Sequence, residues 1–175
     1  AHVKLIDASP IGINVRSTVA TYANVHDELR KIYAKTADAK NKKYKAGDFS
    51  YNTGKLRCLV CDGTGQISLD VQFLPDVDVP CPECGGSRYT REAWEICYEN
   101  KQGMRYSLPQ MMEMDVTTAL QATQEWKVVH QRLEVLKNLG LGYLTLGEET
   151  PSLSGGEAQR LKLASEMGRG QSDSV

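Results

Sequence analysis

The stretch Leu153-Ser154-Gly155-Gly156-Glu157-Ala158-Gln159-Arg160, called the signature run below, says most about how this chain folds. Behind it, Leu161, Ala164 and Met167 recur every three residues, a spacing that predicts an amphipathic helix. The start of a helix offers free backbone N–H groups and the positive end of the helix dipole, which together attract phosphate. Two glycines at that start let a phosphate approach the backbone closely. The run therefore predicts a helix whose first turn faces a phosphate group.

Ser154 has two possible roles at this helix start. Its hydroxyl can donate to a phosphate, or it can act only as an N-cap whose partner Glu157 completes a capping box. The complete eight-residue run favours the first role, because it is similar to the signature sequence with which one subunit of an ATP-binding-cassette (ABC) ATPase completes its partner's nucleotide site. This resemblance assigns Ser154, Gly155, Gly156, Glu157, Gln159 and Arg160 to an ATP signature site.

A nucleotide site of the chain's own is not predicted. The phosphate-binding pattern G-x-x-x-x-G-K-[ST] does not occur, and Gly54-Lys55 is followed by Leu56, where the pattern needs Ser or Thr. No apolar strand ends in the paired acidic residues that would hold Mg²⁺ and water. We therefore expect an excised piece of a larger ATPase that does not hydrolyse ATP alone and meets ATP and Mg²⁺ only in a full-length dimer.

Four cysteines form the second strong pattern. Cys58-x-x-Cys61 and Cys81-x-x-Cys84 are separated by nineteen residues, which is typical of a structural Zn²⁺ site with four thiolate ligands. Such a site has no open position for metal catalysis. The alternative is a pair of disulfides or free buried thiols. The fifth cysteine, Cys97, lies in an apolar segment and is predicted to be a packed core thiol.

A cluster of positive charge precedes the cysteines. Residues 30–57, called the basic segment below, contain nine Lys or Arg residues and only two Asp residues, although the net charge of the whole chain is −1. Tyrosine and phenylalanine residues are interspersed, a combination that suits binding to the DNA backbone without sequence readout. The alternative is a solvated helix face. Lys42, Lys43 and Lys45 are the DNA-contact candidates in this segment.

Composition fits one core with a metal module beside it. The chain has 175 residues, 41% of them hydrophobic, and no apolar run approaches the roughly 20 residues of a membrane-spanning helix. We predict a cytoplasmic protein that does not enter a membrane. The three predicted regions are residues 1–56 (strand, loop and basic helical segment), 57–90 (zinc module) and 91–175 (β-hairpin and helical signature subdomain).

Local patterns predict the individual elements. Asp115 is predicted to cap one helix, and an apolar stripe ending at Gly140 predicts another. Asn24 is predicted to cap a third. Strands are expected at residues 3–7, 66–73, 94–99 and 104–106, with a turn at 100–103 between the last two.

Together these residues resemble the UvrA family of bacterial nucleotide excision repair, in the signature region of the second nucleotide-binding half. The resemblance implies an α+β fold in which a helical ABC signature subdomain carries an inserted four-cysteine zinc module and small β elements. It also implies a homodimer on double-stranded DNA, paired composite ATP sites, UvrB docking through a region outside this chain, and a DNA contact at Arg16. The resemblance rests on the signature run, the four cysteines, and the segments Ser9-Pro10-Ile11-Gly12, Arg16-Ser17, Ala20-Thr21-Tyr22, Phe49-Ser50-Tyr51-Asn52, Phe73-Leu74-Pro75-Asp76-Val77 and Gly142-Tyr143-Leu144.

The chain departs from the family pattern at one functional loop. Family members typically have Gln where this chain has Ala8, and alanine lacks the amide that would contact metal or attacking water. This difference favours, as an alternative, a short UvrA-like paralogue linked to drug tolerance. A second alternative from another class is a zinc-bearing cassette that acts in translation or antibiotic resistance.

Overall fold

The computed structural model describes residues 16–69 and 77–173, and it gives no side-chain detail for Val77 or for residues 168–173. The predicted strand at residues 3–7, the Ser9–Gly12 loop and Ala8 lie outside the described residues. Contacts divide the chain into two units, one within Ala1–Leu29, Asn100–Gly103 and Met111–Val175, the other within Arg30–Glu99 and Met104–Gln110. Helices and short antiparallel strands are both present, which confirms the predicted α+β class.

The elements follow one another in short segments. The α-helices are α1 (Val19–Tyr22), α2 (His26–Ala34), α3 (Ala37–Asn41), α4 (Arg91–Glu95), α5 (Leu108–Met112), α6 (Val116–Ala122), α7 (Lys127–Leu136) and α8 (Gly155–Asp173). Short 3₁₀ helices span Ala46–Phe49 and Thr150–Ser152. The strands are β1 (Gln66–Leu69), β2 (Val77–Pro80), β3 (Cys97–Glu99) and β4 (Arg105–Ser107).

The unit within Arg30–Glu99 and Met104–Gln110 contains two separate antiparallel strand pairs. In the first, β1 pairs with β2 and Gln66 lies opposite Pro80; in the second, β3 pairs with β4 and Cys97 lies opposite Ser107. The turn between β3 and β4 closes with a hydrogen bond from the Gly103 N–H to the Asn100 carbonyl, as predicted. The first pair joins the two halves of the cysteine cluster.

Buried tyrosines anchor the core of this unit. The Tyr89 hydroxyl donates to the Phe49 carbonyl at 2.6 Å, and the Tyr33 hydroxyl donates to the Tyr106 carbonyl at 2.7 Å. Both side chains are essentially fully buried, and burial raises the pKa of each phenol. Because each hydroxyl has a partner, these rings contribute their full apolar area without an unsatisfied polar group.

The other unit is built from α6, α7 and α8. Val129, Leu133 and Leu136 of α7 are buried, as the apolar stripe predicts. The Asp115 carboxylate accepts the Thr118 N–H at 2.7 Å, confirming the predicted cap, and this hydrogen bond lowers the pKa of Asp115. A π-helical turn, Lys137–Leu141, continues α7, and Gly140 within it has a φ of 81°, the left-handed conformation expected where a helix ends.

Two local predictions were wrong. Asn24 does not cap α2; it has a φ of 62° in the preceding turn, and the helix begins at His26. Residues 94–99 are not one strand, because Arg91–Glu95 form α4 before β3 begins. The helical spacing of three places both Ala93 and Ile96 in the core, which an extended chain would not do.

Two predicted packing roles also differ. Cys97 is half-buried, whereas a core thiol was expected. In α8, Leu161 and Ala164 are buried as expected, but Met167 is 44% exposed. Among the described residues, no helix is long and apolar enough to cross a bilayer.

Candidate functional site

The four paired cysteines meet in one cluster. The Sγ atoms of Cys58, Cys61, Cys81 and Cys84 all lie within 4.8 Å of one another. Cys58 Sγ lies 3.9 Å from Cys81 Sγ, and Cys61 Sγ lies 3.7 Å from Cys84 Sγ. Three of the four side chains are buried and Cys84 is half-buried. The β1–β2 pair thus brings together cysteines that are far apart in the sequence.

These distances fit a tetrahedral metal and not disulfides. A disulfide needs a sulfur separation of about 2.05 Å, and all five cysteines are free. Four sulfurs placed tetrahedrally at about 2.3 Å from a zinc ion would lie about 3.8 Å apart, close to both measured separations. The cluster is therefore consistent with a structural zinc site.

Backbone N–H groups turn toward the sulfurs. The Gly65 N–H donates to Cys61 Sγ at 3.2 Å. Burial alone would raise the pKa of the Cys81 thiol. Hydrogen bonds from the N–H groups of Cys84 and Glu83 outweigh this effect, and the pKa lies below its ordinary value. For Cys84, burial dominates and raises the pKa to about 12. A bound divalent cation is what would allow all four sulfurs to be thiolates together.

The signature run starts α8 with a reciprocal capping box. The Ser154 N–H donates to Glu157 Oε1 at 3.0 Å, and the Glu157 N–H donates to Ser154 Oγ at 3.2 Å. Ser154, Gly155 and Gly156 are all exposed. A Cβ added at either glycine would meet no atom within 4 Å. The first turn of α8 is therefore ordered, while the space in front of it within the described chain is open.

Two side chains, Tyr143 and Arg160, form hydrogen bonds at this helix start. The Tyr143 hydroxyl donates to Glu157 Oε2, and this hydrogen bond raises the pKa of Tyr143 and lowers that of Glu157. Arg160 donates from Nε to the Gly156 carbonyl at 3.2 Å and from Nη1 to the Leu139 carbonyl at 3.2 Å. Arg160 thus links the first turn of α8 to the π-helical turn Lys137–Leu141 that follows α7.

Comparison with known proteins identifies the family. No protein-family profile matches the chain. UvrABC system protein A of Staphylococcus aureus (strain Mu50 / ATCC 700699) is 45% identical over 93% of this chain, and that of Streptococcus pneumoniae serotype 4 is 44% identical over the same share. The chain belongs to the UvrA family.

A solved structure of the UvrA family shows the same fold. The crystal structure of UvrA2 from Deinococcus radiodurans matches 92% of this chain with a TM-score of 0.82 and 40% sequence identity. The chain spans 17% of the length of the Staphylococcus aureus protein and 19% of the UvrA2 chain. The likeness therefore covers most of this chain and a small part of each relative.

In this UvrA-family chain the candidate DNA-contact lysines of the basic segment lie on the surface, and nearby glutamates partly neutralise them. Lys42, Lys43 and Lys45 are all exposed. Lys42 Nζ forms a 3.5 Å ion pair with Glu95, and the Tyr44 hydroxyl donates to Glu92. These glutamates, distant in sequence, reduce the local excess of positive charge. Arg16 belongs to the other unit, where it is half-buried and interacts within the chain.

Sequence reasoning missed several residues of these sites. Arg88 is buried beside the cysteine cluster, Tyr143 contacts the signature run, and Glu92 and Glu95 contact the basic segment. Arg88 carried one signal, because it follows Cys84 at the distance at which Gly65 follows Cys61. No local pattern marked the other three.

Proposed function

We propose that this chain is the signature and zinc-bearing part of a UvrA-like ABC-class ATPase that binds DNA in nucleotide excision repair. The observation that carries the proposal is the first turn of α8, where a capped helix start presents Ser154, Gly155 and Gly156 to open space. The 45% identity to UvrABC system protein A supports the same role. In this role the chain completes an ATP site whose other half lies on a second subunit.

The two glycines support a partner that approaches from outside the chain. Glycine inside a helix costs about 1 kcal/mol relative to alanine. Nothing in the described chain requires glycine at positions 155 and 156, because neither has a positive φ and a Cβ added at either would meet no atom within 4 Å. A nucleotide phosphate bound at this helix start best explains why glycines are present despite this cost. Helix N–H groups bind anions only when the backbone is accessible, and glycine leaves it accessible.

The other residues of the signature run would act around that phosphate. Ser154 would donate its hydroxyl, and the N–H groups of Gly155 and Gly156 would face the γ-phosphate of ATP held with Mg²⁺ by the second subunit. Gln159 is exposed and would lie near that interface. Arg160 is held by two carbonyls and would position the helix start. Glu157 would keep Ser154 in place.

We further propose that Cys58, Cys61, Cys81 and Cys84 bind one structural Zn²⁺ ion. The family resemblance also leads us to propose a homodimer on double-stranded DNA that acts with UvrB through a region outside this chain. Arg16, Lys42, Lys43 and Lys45 remain proposed DNA contacts. A UvrA-like paralogue with a role in drug tolerance remains the alternative.

Replacing Ser154 with Asp or Asn in the full-length ATPase separates the phosphate role from the capping role. Both residues cap helices as well as Ser, so thermal stability should stay close to wild type. Asp adds a negative charge where we place the γ-phosphate, and repulsion should lower the ATP turnover number on the order of 100-fold. Asn should lower turnover by less than about 10-fold. Ser152→Asp, outside the signature run, is the control; equal effects of Asp at positions 152 and 154 would contradict the assignment.

Replacing Lys42, Lys43 and Lys45 with Gln should weaken DNA binding by the purified chain and reduce its dependence on salt. The slope of log K against log salt should fall by about 0.9 for each phosphate contact that is lost. The matched control replaces Lys101, Lys127 and Lys137, which are exposed in the other unit, with Gln. A slope that the first triple variant leaves unchanged would show that the basic segment is only a solvated face.

A further inference from the structure

The two halves of the cysteine cluster share one backbone plan. We call residues 58–65 the first knuckle and residues 81–88 the second knuckle. In each, the first, second and fourth residues after the second cysteine have positive φ angles. The angles are 54°, 79° and 80° at Asp62, Gly63 and Gly65, and 64°, 96° and 76° at Gly85, Gly86 and Arg88. This shared pattern turns each chain back toward its sulfurs.

Reciprocal hydrogen bonds join the knuckles at equivalent positions. The Cys81 N–H donates to the Gly65 carbonyl at 2.9 Å, and the Cys58 N–H donates to the Arg88 carbonyl at 2.8 Å. The Gly65 N–H donates to Cys61 Sγ at 3.2 Å, and the Arg88 N–H faces Cys84, whose pKa it acts to lower. Gly65 and Arg88 are therefore counterparts in a local two-fold arrangement.

Glycine is the expected residue at this position and Arg88 is the exception. A residue with a Cβ is disfavoured in the left-handed region, and the first knuckle avoids this strain with Gly65. Non-glycine residues in such conformations cluster at functional sites, where the surrounding structure holds them in place. An arginine at this position therefore points to a function of its side chain.

The Arg88 side chain crosses to the first knuckle. It is only 5% exposed, and its Nη1 donates to the Gly63 carbonyl at 3.2 Å. Its guanidinium carbon lies 4.8 Å from the centroid of the Tyr51 ring, a cation–π contact. Its Cγ lies against Gly65, where an added Cβ would be 3.3 Å away. Arg88 of the second knuckle thus contacts the first knuckle through both its main chain and its side chain.

The charge of Arg88 suits the metal proposed for the cluster. Four thiolates and one Zn²⁺ ion carry a net charge of −2 in a site where three sulfurs are buried. Burying uncompensated charge is costly, and residues behind the ligands of a metal site orient those ligands and tune the metal. The guanidinium of Arg88, which stays protonated and is held at the Gly63 carbonyl of the first knuckle, would offset part of this charge.

We propose that Arg88 is the positioning residue of the metal site, holding the two knuckles in register and offsetting the charge of the four thiolates. This inference rests on the proposed zinc binding. It explains why the second knuckle keeps an arginine where the first has glycine. It also assigns Arg88 a role that no cysteine ligand supplies.

The test compares Arg88→Gly and Arg88→Met in the purified 175-residue chain. Arg88→Gly removes the side chain but fits the positive φ, so it should relieve backbone strain; Arg88→Met keeps the strain and most of the length without the charge. Both should weaken zinc binding about 10–100-fold in competition with a chelator, with faster zinc release. Arg91→Met, at an exposed arginine three residues further on, is the control and should bind zinc as wild type does.

Cobalt(II) distinguishes the possible failures. The wild-type chain should take up one equivalent of Co²⁺ and show the strong absorption of cobalt bound by thiolates. If the wild type takes up no metal, the zinc proposal fails and the role of Arg88 fails with it. If the wild type binds zinc and Arg88→Gly binds it equally well, the zinc proposal stands and the role of Arg88 is overturned, because a purely conformational role predicts that glycine is the better residue here.

Discussion

Removing zinc from the purified chain should unfold the knuckles and the β1–β2 pair while α6, α7 and α8 stay helical. The local apolar core consists of Cys58, Cys61 and Cys81, with Ile67 and Cys84 packed against it. Two paired strands of four residues and so small a core cannot stabilise themselves in water. A zinc ion bound as we propose would supply the missing free energy, which is on the order of 10–16 kcal/mol in comparable zinc peptides.

Cys81→Ser is the sharpest variant for this prediction, because the Cys81 side chain is fully buried. It should reduce bound zinc from one equivalent to nearly none, measured by elemental analysis, and amide protons of residues 58–69 and 77–88 should exchange rapidly. Cys97→Ser is the matched control, since Cys97 is outside the cluster and half-buried. Full zinc content in Cys81→Ser, or slow exchange in both halves after chelation, would contradict a structural zinc site.

In the full-length ATPase, Gly155→Ala and Gly156→Ala should stabilise the protein and still abolish most of its ATP turnover. Both added methyl groups extend into space that is open within the described chain. Alanine is favoured over glycine in a helix by about 1 kcal/mol, so the melting temperature should stay the same or rise. A methyl group at the helix start would keep the γ-phosphate from the backbone N–H groups, and a displacement of about 1 Å at a reacting group costs about 100-fold in rate.

Higher stability together with lower ATP turnover would distinguish a lost nucleotide contact from misfolding. A variant that loses activity through misfolding would also lose stability. Gly47→Ala is the matched control, because Gly47 is exposed in a 3₁₀ helix and an added Cβ there also meets nothing within 4 Å. It should leave turnover at the wild-type level. Wild-type turnover in both Gly155→Ala and Gly156→Ala would show that the glycines do not face a nucleotide.

Local signals in the sequence predicted the parts of the fold that depend on near neighbours. The Asp115 cap, the α7 stripe and the Gly140 helix end each need only a few adjacent residues, and all were confirmed. The cysteine spacing predicted the cluster. The geometry of each C-x-x-C pair is local, and nineteen intervening residues are enough for the chain to bring the second pair back to the first. The capping box of Ser154 and Glu157 was foreseen in the same way.

Contacts between distant residues could not be predicted in this way. Glu92 and Glu95 approach Tyr44 and Lys42 only because the chain folds back over a long stretch of sequence, and this changes the charge of the basic segment. The segment 94–99 reads as a strand from composition, yet the need to bury both Ala93 and Ile96 selects a helical turn. Arg88 was missed because its spacing from Cys84 was the only signal in the sequence, and its left-handed backbone conformation appears only in the structure.

The most direct measurement of the central claim is a structure of the full-length dimer with a non-hydrolysable ATP analogue. The account predicts that Ser154 Oγ and the N–H groups at the start of α8 lie about 3 Å from the γ-phosphate of the nucleotide bound by the other subunit. A closed dimer in which α8 begins far from either nucleotide would contradict the account.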